Sequence, residues 1–255
     1  MISKARARFI KSLQLKKYRL AEQCFLVHGA KALKETLSSD YEVQLLAGTA
    51  SFLDSLKTSE KSRAHEIIEV NQDQLSELSA VESNDAGLAV VRMKAPGILS
   101  LKMDEMALVL DDIRDPGNLG TIIRMADWFG LKNIIASEET TELYNPKVIN
   151  ASMGSFLRVQ LTYTRLPEFL KGYKGKVMGT FLDGEDVHRF AFPSGGLIVI
   201  GNESKGISSE VEKFITHRIT IPRYGHAESL NASVATAIVL DNCRRVNSEK
   251  IIVKS

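Results

Sequence analysis

The chain has 255 residues, 44% hydrophobic and 25% charged, which is the composition of a soluble globular protein with room for one large domain or two small ones. No run of about 18 apolar residues occurs, so a helical membrane span is not expected, nor is a secretory leader without a continuous apolar core. Two cysteines, Cys24 and Cys243, stand far apart without metal-ligand spacing, which argues against a disulfide framework or zinc site and for a reducing, cytoplasmic setting.

The net charge of +2 hides an uneven distribution. Lys4, Arg6, Arg8, Lys11, Lys16, Lys17 and Arg19 precede the first acid, Glu22. Such a stretch either tracks a phosphate backbone or forms a solvated helix face. After this basic helix, strands and helices alternate. Strands are expected at Phe25-Leu26-Val27, Val43 to Ala47, Glu66 to Val70 and Leu88 to Met93. The helices between them fall at Ala30 to Leu37, Ser51 to Lys57 and Gln72 to Val81. This is a small α/β domain over residues 1–95, with a linker near Met93 to Met103 marked by Pro96-Gly97.

A second α/β pattern fills residues 104–255. Ala107 to Leu110 is a buried strand, and Thr121 to Phe129 a helix whose Ile122, Ile123, Ala126 and Phe129 form an apolar stripe ended by Gly130. Further strands are Asn133 to Ala136, Val177 to Phe181, Leu197 to Gly201 and Arg218 to Ile221, and a long helix closes the chain from Leu230 to Arg245. The apolar content of that last helix (Val234, Ala235, Ala237, Ile238, Val239) exceeds what one α/β layer covers, and points to self-association. Trp128 is read as packing inside the protein, and His226 as a solvated loop residue.

Three Gly-, Asn- and Ser-rich loops follow strands of this second half: 111–120, 201–208 and 221–231. In open α/β sheets, ligands gather beyond the carboxyl ends of strands, where loop backbone is free. None of the loops has P-loop spacing, and none places G-x-G-x-x-G after a first strand, so a P-loop nucleotidase and a Rossmann dinucleotide site both lack support. Any one loop could be ordinary turn chemistry. Together they hold Asn118, Glu203, Ser229 and Asn231, with Arg124 on the helix after the first.

Those three loops, in order, resemble the three sequence motifs of the SpoU (TrmH-like) RNA methyltransferases of the SPOUT superfamily. Asp115-Pro116-Gly117-Asn118-Leu119-Gly120-Thr121-Ile122-Ile123-Arg124 is similar to the first, Gly201 to Ser208 to the second, and Ile221-Pro222 with Ser229-Leu230-Asn231-Ala232-Ser233-Val234-Ala235 to the third. Ala151 to Val159 also matches a family pattern. Ser204, Ala232 and Arg223 depart from it, and His28 stands where the N-terminal domain often carries Glu. The resemblance implies an α/β fold with a C-terminal trefoil-knotted methyltransferase domain and a smaller N-terminal RNA-binding domain of ribosomal-protein-like type. It implies S-adenosylmethionine as cofactor, Gly201, Ile221 and Leu230 as cofactor-binding positions, no metal, a homodimer, and a ribose 2′-hydroxyl of ribosomal or transfer RNA as substrate, ribosomal being favoured. Arg124 matches the family's general base. A guanidinium holds its proton in neutral water, so either proton acceptor or phosphate anchor fits. Asn118, Glu203, Ser229 and Asn231 match the remaining polar positions of the catalytic site. A non-catalytic RNA-binding factor, or an enzyme using another nucleotide, would be the competing readings. The presence of Arg124, Glu203 and Asn231 weighs against the first.

Overall fold

A computed structural model describes residues 2–79, 84–95, 97 and 99–252. The chain forms two compact units, Met1–Pro96 with Glu142–Leu157, and Gly97–Thr141 with Arg158–Ser255. The first unit therefore takes a segment that lies well inside the second half of the sequence.

The first unit begins with α1 (Lys4–Ser12), capped by Ser3, whose hydroxyl accepts the Arg6 N–H at 3.3 Å, and α2 (Lys16–Glu22), ended by Gln23 in a left-handed conformation. Then follow β1 (Cys24–His28), α3 (Ala30–Leu37), β2 (Val43–Gly48), α4 (Ala50–Asp54), α5 (Thr58–Lys61), β3 (Ile67–Glu69), α6 (Gln72–Leu78) and β4 (Gly87–Arg92). The sheet order is β1-β4-β2-β3, with β4 antiparallel to both neighbours and β2 parallel to β3. The expected end of α6 at Val81, and Pro96 of the expected linker, lie outside the described residues.

One face of this sheet buries Leu26, Leu45, Leu88 and Val90 against Ile10 and Leu13 of the α1 end and Leu75 and Leu78 of α6. Phe25 meets a different partner set: Tyr41, Tyr144 and Phe156, with ring centroids 4.5–5.9 Å away. Two of these rings come from the inserted segment, which carries a helix at Pro146–Ser152 and a short 3-10 turn at Ser155–Leu157. Arg19, expected on the basic surface, is instead buried. Its Nη1 donates to the carbonyls of Leu13 and Gln14 at 3.0 and 2.7 Å, and its Nη2 to the Glu142 carboxylate. Its role is to tie down the α1–α2 turn.

The second unit contains β5 (Met106–Leu110), α7 (Pro116–Trp128) and β6 (Asn133–Ala136) before the inserted helix, numbered α8. After that come β7 (Gln160–Tyr163), α9 (Leu166–Gly172), β8 (Val177–Asp186), β9 (Gly196–Ile200), α10 (Ser209–Glu212), β10 (His217–Thr220) and α11 (Ala232–Ile252). All six strands are parallel, in the order β10-β8-β9-β5-β6-β7. Strands β5, β6 and β9 are buried along their whole length, which explains their unbroken apolar sequences: a parallel sheet is covered on both faces. The chain runs outward from β5 to β7, then returns on the other side through β8, β9 and β10. The carboxyl ends of β5 and β9 therefore flank the point where the order reverses.

Helix α7 starts at Pro116, five residues before the expected Thr121. Asp115 caps it, accepting the Asn118 N–H at 2.8 Å, and Pro116 needs no hydrogen bond in the first turn. Ile122, Ile123 and Ala126 are buried as expected, and Gly130 follows in a left-handed conformation. Trp128 does not pack: it is 79% exposed.

Candidate functional site

The three loops converge at the carboxyl edge of the second unit, and one polar chain joins them. Asn118, in the first turn of α7, donates its side-chain amide to Glu203 Oε1 at 2.5 Å. Its carbonyl oxygen accepts from Asn231 Nδ2 at 2.8 Å. Asn231 in turn caps α11, its Oδ1 accepting from Ser233 N at 3.0 Å, Ser233 Oγ at 2.6 Å and Val234 N at 3.3 Å. Every polar atom of the Asn118 side chain is thus committed in a fixed sense: amide to the carboxylate, oxygen to the Asn231 amide. The bond to Glu203 is charge-assisted and correspondingly short.

Glu203 is held in place by the loop around it. Asn202 pairs with Gly206 through both backbone bonds, N to O at 3.0 and 2.8 Å. The Asn202 side chain accepts from the N–H groups of Ser204 and Lys205 and donates to the Asp112 carbonyl at 2.8 Å, bracing the second loop against the first. Asp112 adopts a left-handed conformation, uncommon for a residue with a Cβ, and its carboxylate accepts from Arg114 Nε at 2.6 Å. Asp111 is buried and accepts the Ser208 N–H at 2.7 Å. The sequence signal for Asn202 was available, since Asn commonly bonds the backbone two residues on in a turn, but its partner in the first loop was not.

Gly201 is fixed by space. A Cβ there would lie 2.3 Å from the Gly206 carbonyl carbon and 2.4 Å from Ile207 N. Because the strand end lies so close to the returning loop, position 201 presents its peptide groups with no side chain over them. Ile221 is half-buried, and Leu230 lies exposed in a segment, 223–231, that is exposed throughout. Sequence reasoning missed a further element at this edge. Strand β8 shifts its pairing with β10 between Arg218 and Ile219, so residues 180–184 loop outward. Thr180 Oγ1 donates to the Val199 carbonyl at 3.1 Å and Thr220 Oγ1 to the Leu182 carbonyl at 3.2 Å, which sets this excursion beside the ends of β9 and β10. Arg218 holds its base, stacking 3.6 Å over the Phe181 ring and bonding Asp183 and Glu212. The Asp183-Gly184 turn signal inside an apolar strand was the visible clue.

Arg124 and Ser229 are not members of the polar chain. Arg124 is exposed on the outer face of α7, opposite the buried stripe, and makes no hydrogen bond or ion pair among the described residues. Ser229 is exposed, has no such bond among them either, and leaves the capping of α11 to Asn231. No group of three His, Cys, Asp or Glu side chains among the described residues is placed to hold a metal ion. A cavity of about 640 Å³ lies over the ends of β5, β6 and β7 and touches none of the polar chain. Six carboxylates, Asp111, Asp112, Glu138, Glu139, Glu168 and Glu210, outnumber the cations Arg165, Lys205 and Lys213 in its lining, which disfavours phosphate there.

Residues 105–241 match the model of the SpoU rRNA Methylase family, and residues 4–89 that of the MRM3-like substrate binding domain. The chain belongs to the SpoU rRNA methylase family. Within it, the chain is similar to the Bacillus subtilis (strain 168) 23S rRNA (guanosine(2553)-2′-O)-methyltransferase RlmP, 28% identical over 240 residues that cover 92% of this chain and 94% of that protein. Among solved structures, SpoU methyltransferase AviRb from Streptomyces viridochromogenes, in complex with AdoMet, superposes with a TM-score of 0.83 at 26% identity, covering 96% of this chain and 99% of that one. An AdoMet-bound rRNA methyltransferase from Sinorhizobium meliloti superposes with a TM-score of 0.86 at 26% identity over 96% of both chains. The α/β architecture with an N-terminal domain is therefore that of the SpoU methyltransferases.

Proposed function

We propose that this protein transfers the methyl group of S-adenosylmethionine to a ribose 2′-hydroxyl of ribosomal RNA. The observation that carries the site assignment is the Glu203–Asn118–Asn231 chain, which draws all three family motifs to one edge of the sheet. The fit of the cofactor rests on that same edge: peptide groups around Gly201, the half-buried Ile221 and the exposed Leu230. When bound, S-adenosylmethionine supplies a methyl group already activated by its sulfonium.

The chain's residues supply position and proton handling. Gly201, Ile221 and Leu230 bind the cofactor, and Asn118, Glu203 and Asn231 fix the loops so that the ribose is aimed rather than held loosely. Ser229 contacts the ribose from the exposed loop. Arg124, without a hydrogen bond or ion pair among the described residues, is available to anchor the adjacent phosphate or to take the hydroxyl proton. Arg124→Ala is expected to keep cofactor affinity while lowering single-turnover methyl transfer by at least about a hundredfold. Transfer of labelled methyl to ribosomal and transfer RNA under saturating cofactor measures it. A near wild-type rate refutes the role, and preference for transfer RNA refutes the substrate.

The reading extends to assembly, topology and location. The first unit binds RNA and the second carries the chemistry, threaded as the family's trefoil knot, which a crystal structure traced through residues 177–231 tests. The protein acts in the cytoplasm as a homodimer, and the exposed apolar side chains Trp128 on α7 and Val234 on α11, two helices that pack on one another, support the dimer. Light scattering that returns a monomer mass at micromolar concentration refutes the dimer.

A further inference from the structure

Seven cations precede the first acid, and the first unit sorts them. Arg6 pairs with Glu66 at 2.6 Å and Lys11 with Glu77 at 3.8 Å. Arg19 is buried, its guanidinium spent on Leu13, Gln14 and Glu142. Lys4, Arg8, Lys16 and Lys17 have no ion pair among the described residues, and all four are exposed. Two of them, Lys16 and Lys17, sit on α2 with apolar company. Leu15 and Leu20 are 55% and 50% exposed, and Tyr18 is 38% exposed with the Lys17 ammonium 4.7 Å over its ring.

We propose that this face of α2, Lys16, Lys17 and Tyr18, is an RNA-docking surface, on which the lysines take phosphates and the Tyr18 ring stacks on a base. The inference rests on the RNA reading above. An exposed aromatic beside unpaired cations is the pairing that single-stranded nucleic acid uses: charge follows the backbone and the ring face accepts any base. The inward Arg19 gives the surface its rigidity. By fastening the α1–α2 turn through three bonds, it fixes which side of a two-turn helix points out, so the backbone carrying the lysines needs no reordering on contact. Lys4 and Arg8, four residues apart on α1, add exposed cations without ion pairs among the described residues. A lipid surface is the competing occupant of a basic, apolar face, but seven residues of helix offer it little area.

The test uses the full chain and an unmodified transcript of large-subunit ribosomal RNA, with binding measured by filter retention at several salt concentrations. Lys16→Glu with Lys17→Glu is expected to weaken binding and flatten the dependence of log K on log salt by roughly 1.4–1.8, the share of two phosphate contacts. Tyr18→Ala is expected to weaken binding about 5- to 150-fold with the salt slope unchanged, and Tyr18→Trp to restore it. Melting temperature and calorimetric S-adenosylmethionine affinity should not move in any of these variants. Should the double charge reversal lower the melting temperature, Lys16→Gln with Lys17→Gln gives the same slope reading without repulsion. A wild-type protein that methylates the transcript while both variant types bind it with unchanged affinity and slope overturns the proposal. So does binding to vesicles containing phosphatidylglycerol that these substitutions abolish while RNA binding persists. Failure of the wild type to bind cofactor or transfer methyl would instead sink the methyltransferase reading.

Discussion

Gly201→Ala is the substitution whose cost the structure defines best. The added methyl would lie 2.3 Å from the Gly206 carbonyl carbon, 2.4 Å from Ile207 N and 2.5 Å from the Gly206 oxygen. All three are backbone atoms, so no flexible side chain can swing aside. Relief requires the loop to move off the strand end, opening the Asn202–Gly206 pair and slackening the Asn202 bond to the Asp112 carbonyl. Overpacking of this kind costs about 1–3 kcal/mol, and backbone contacts on every side put it at the upper end. At roughly 2–4 °C per kcal/mol for a chain of this size, the melting temperature should fall by about 6–12 °C. Gly206→Ala is the internal control. Gly206 has φ +71° with nothing within 4 Å of a Cβ, so only the backbone conformation is charged, about 1–2 kcal/mol. Scanning calorimetry gives both shifts, and titration calorimetry with S-adenosylmethionine reads whether the loop still presents its peptide groups. If Gly201→Ala melted within about 2 °C of wild type and bound cofactor normally, the close approach would not be what requires glycine there.

Asn118→Asp should be more damaging than Asn118→Ala, because it sets a second carboxylate at 2.5 Å from Glu203 in place of a donor. Loss of a hydrogen bond to a charged group is worth about 1.5–3 kcal/mol, so single-turnover transfer should fall at least tenfold in Asn118→Ala and further in the acid; equal rates in wild type and acid would exclude a role for the polar chain. His28 supplies a pH dependence: burial pushes its imidazole down to about 4, and Nε2 has no partner among the described residues. Between the unfolded value near 6.5 and about 4, the unfolded chain binds a proton that the folded one refuses, so stability falls with acidification across that window, by about 3 kcal/mol in all. His28→Leu should flatten the urea-denaturation midpoint over that range, and a curve as steep as wild type would assign the acid sensitivity elsewhere.

Local order was largely legible. Helix α3 and strand β6 lie where periodicity placed them, and the buried stripe of α7 faces the core as read. The start of α7 was missed because Asp115-Pro116 was taken as loop, although a capping Asp followed by Pro at the first helical position is a helix start. The same Asx-Pro signal, Asn145-Pro146, opens α8, and it too went unread. Burial of single charged or aromatic residues was not legible at all. Arg19 reads as surface by type and is buried because carbonyls and a distant Glu142 receive it, whereas Trp128 reads as core and lies exposed. In the site, residue identities came from the resemblance, but the bonds that make a unit of Asn118, Glu203 and Asn231 span 85 and 113 residues, and no local pattern encodes such a pairing.

The aromatic cluster around Phe25 bears on how the protein is made. Phe25 belongs to β1, yet Tyr144 and Phe156 lie in a segment translated more than a hundred residues later, after the second unit's opening elements. The first unit cannot complete its core when its own contiguous residues have emerged. Until residue 156 is synthesised, one face of β1 waits with an aromatic ring uncovered, and Arg19 waits without Glu142. A nascent chain stopped anywhere before that point carries a sheet with an unfilled side and a buried cation without its counter-ion. Cutting the gene at the apparent linker reproduces that incomplete state permanently.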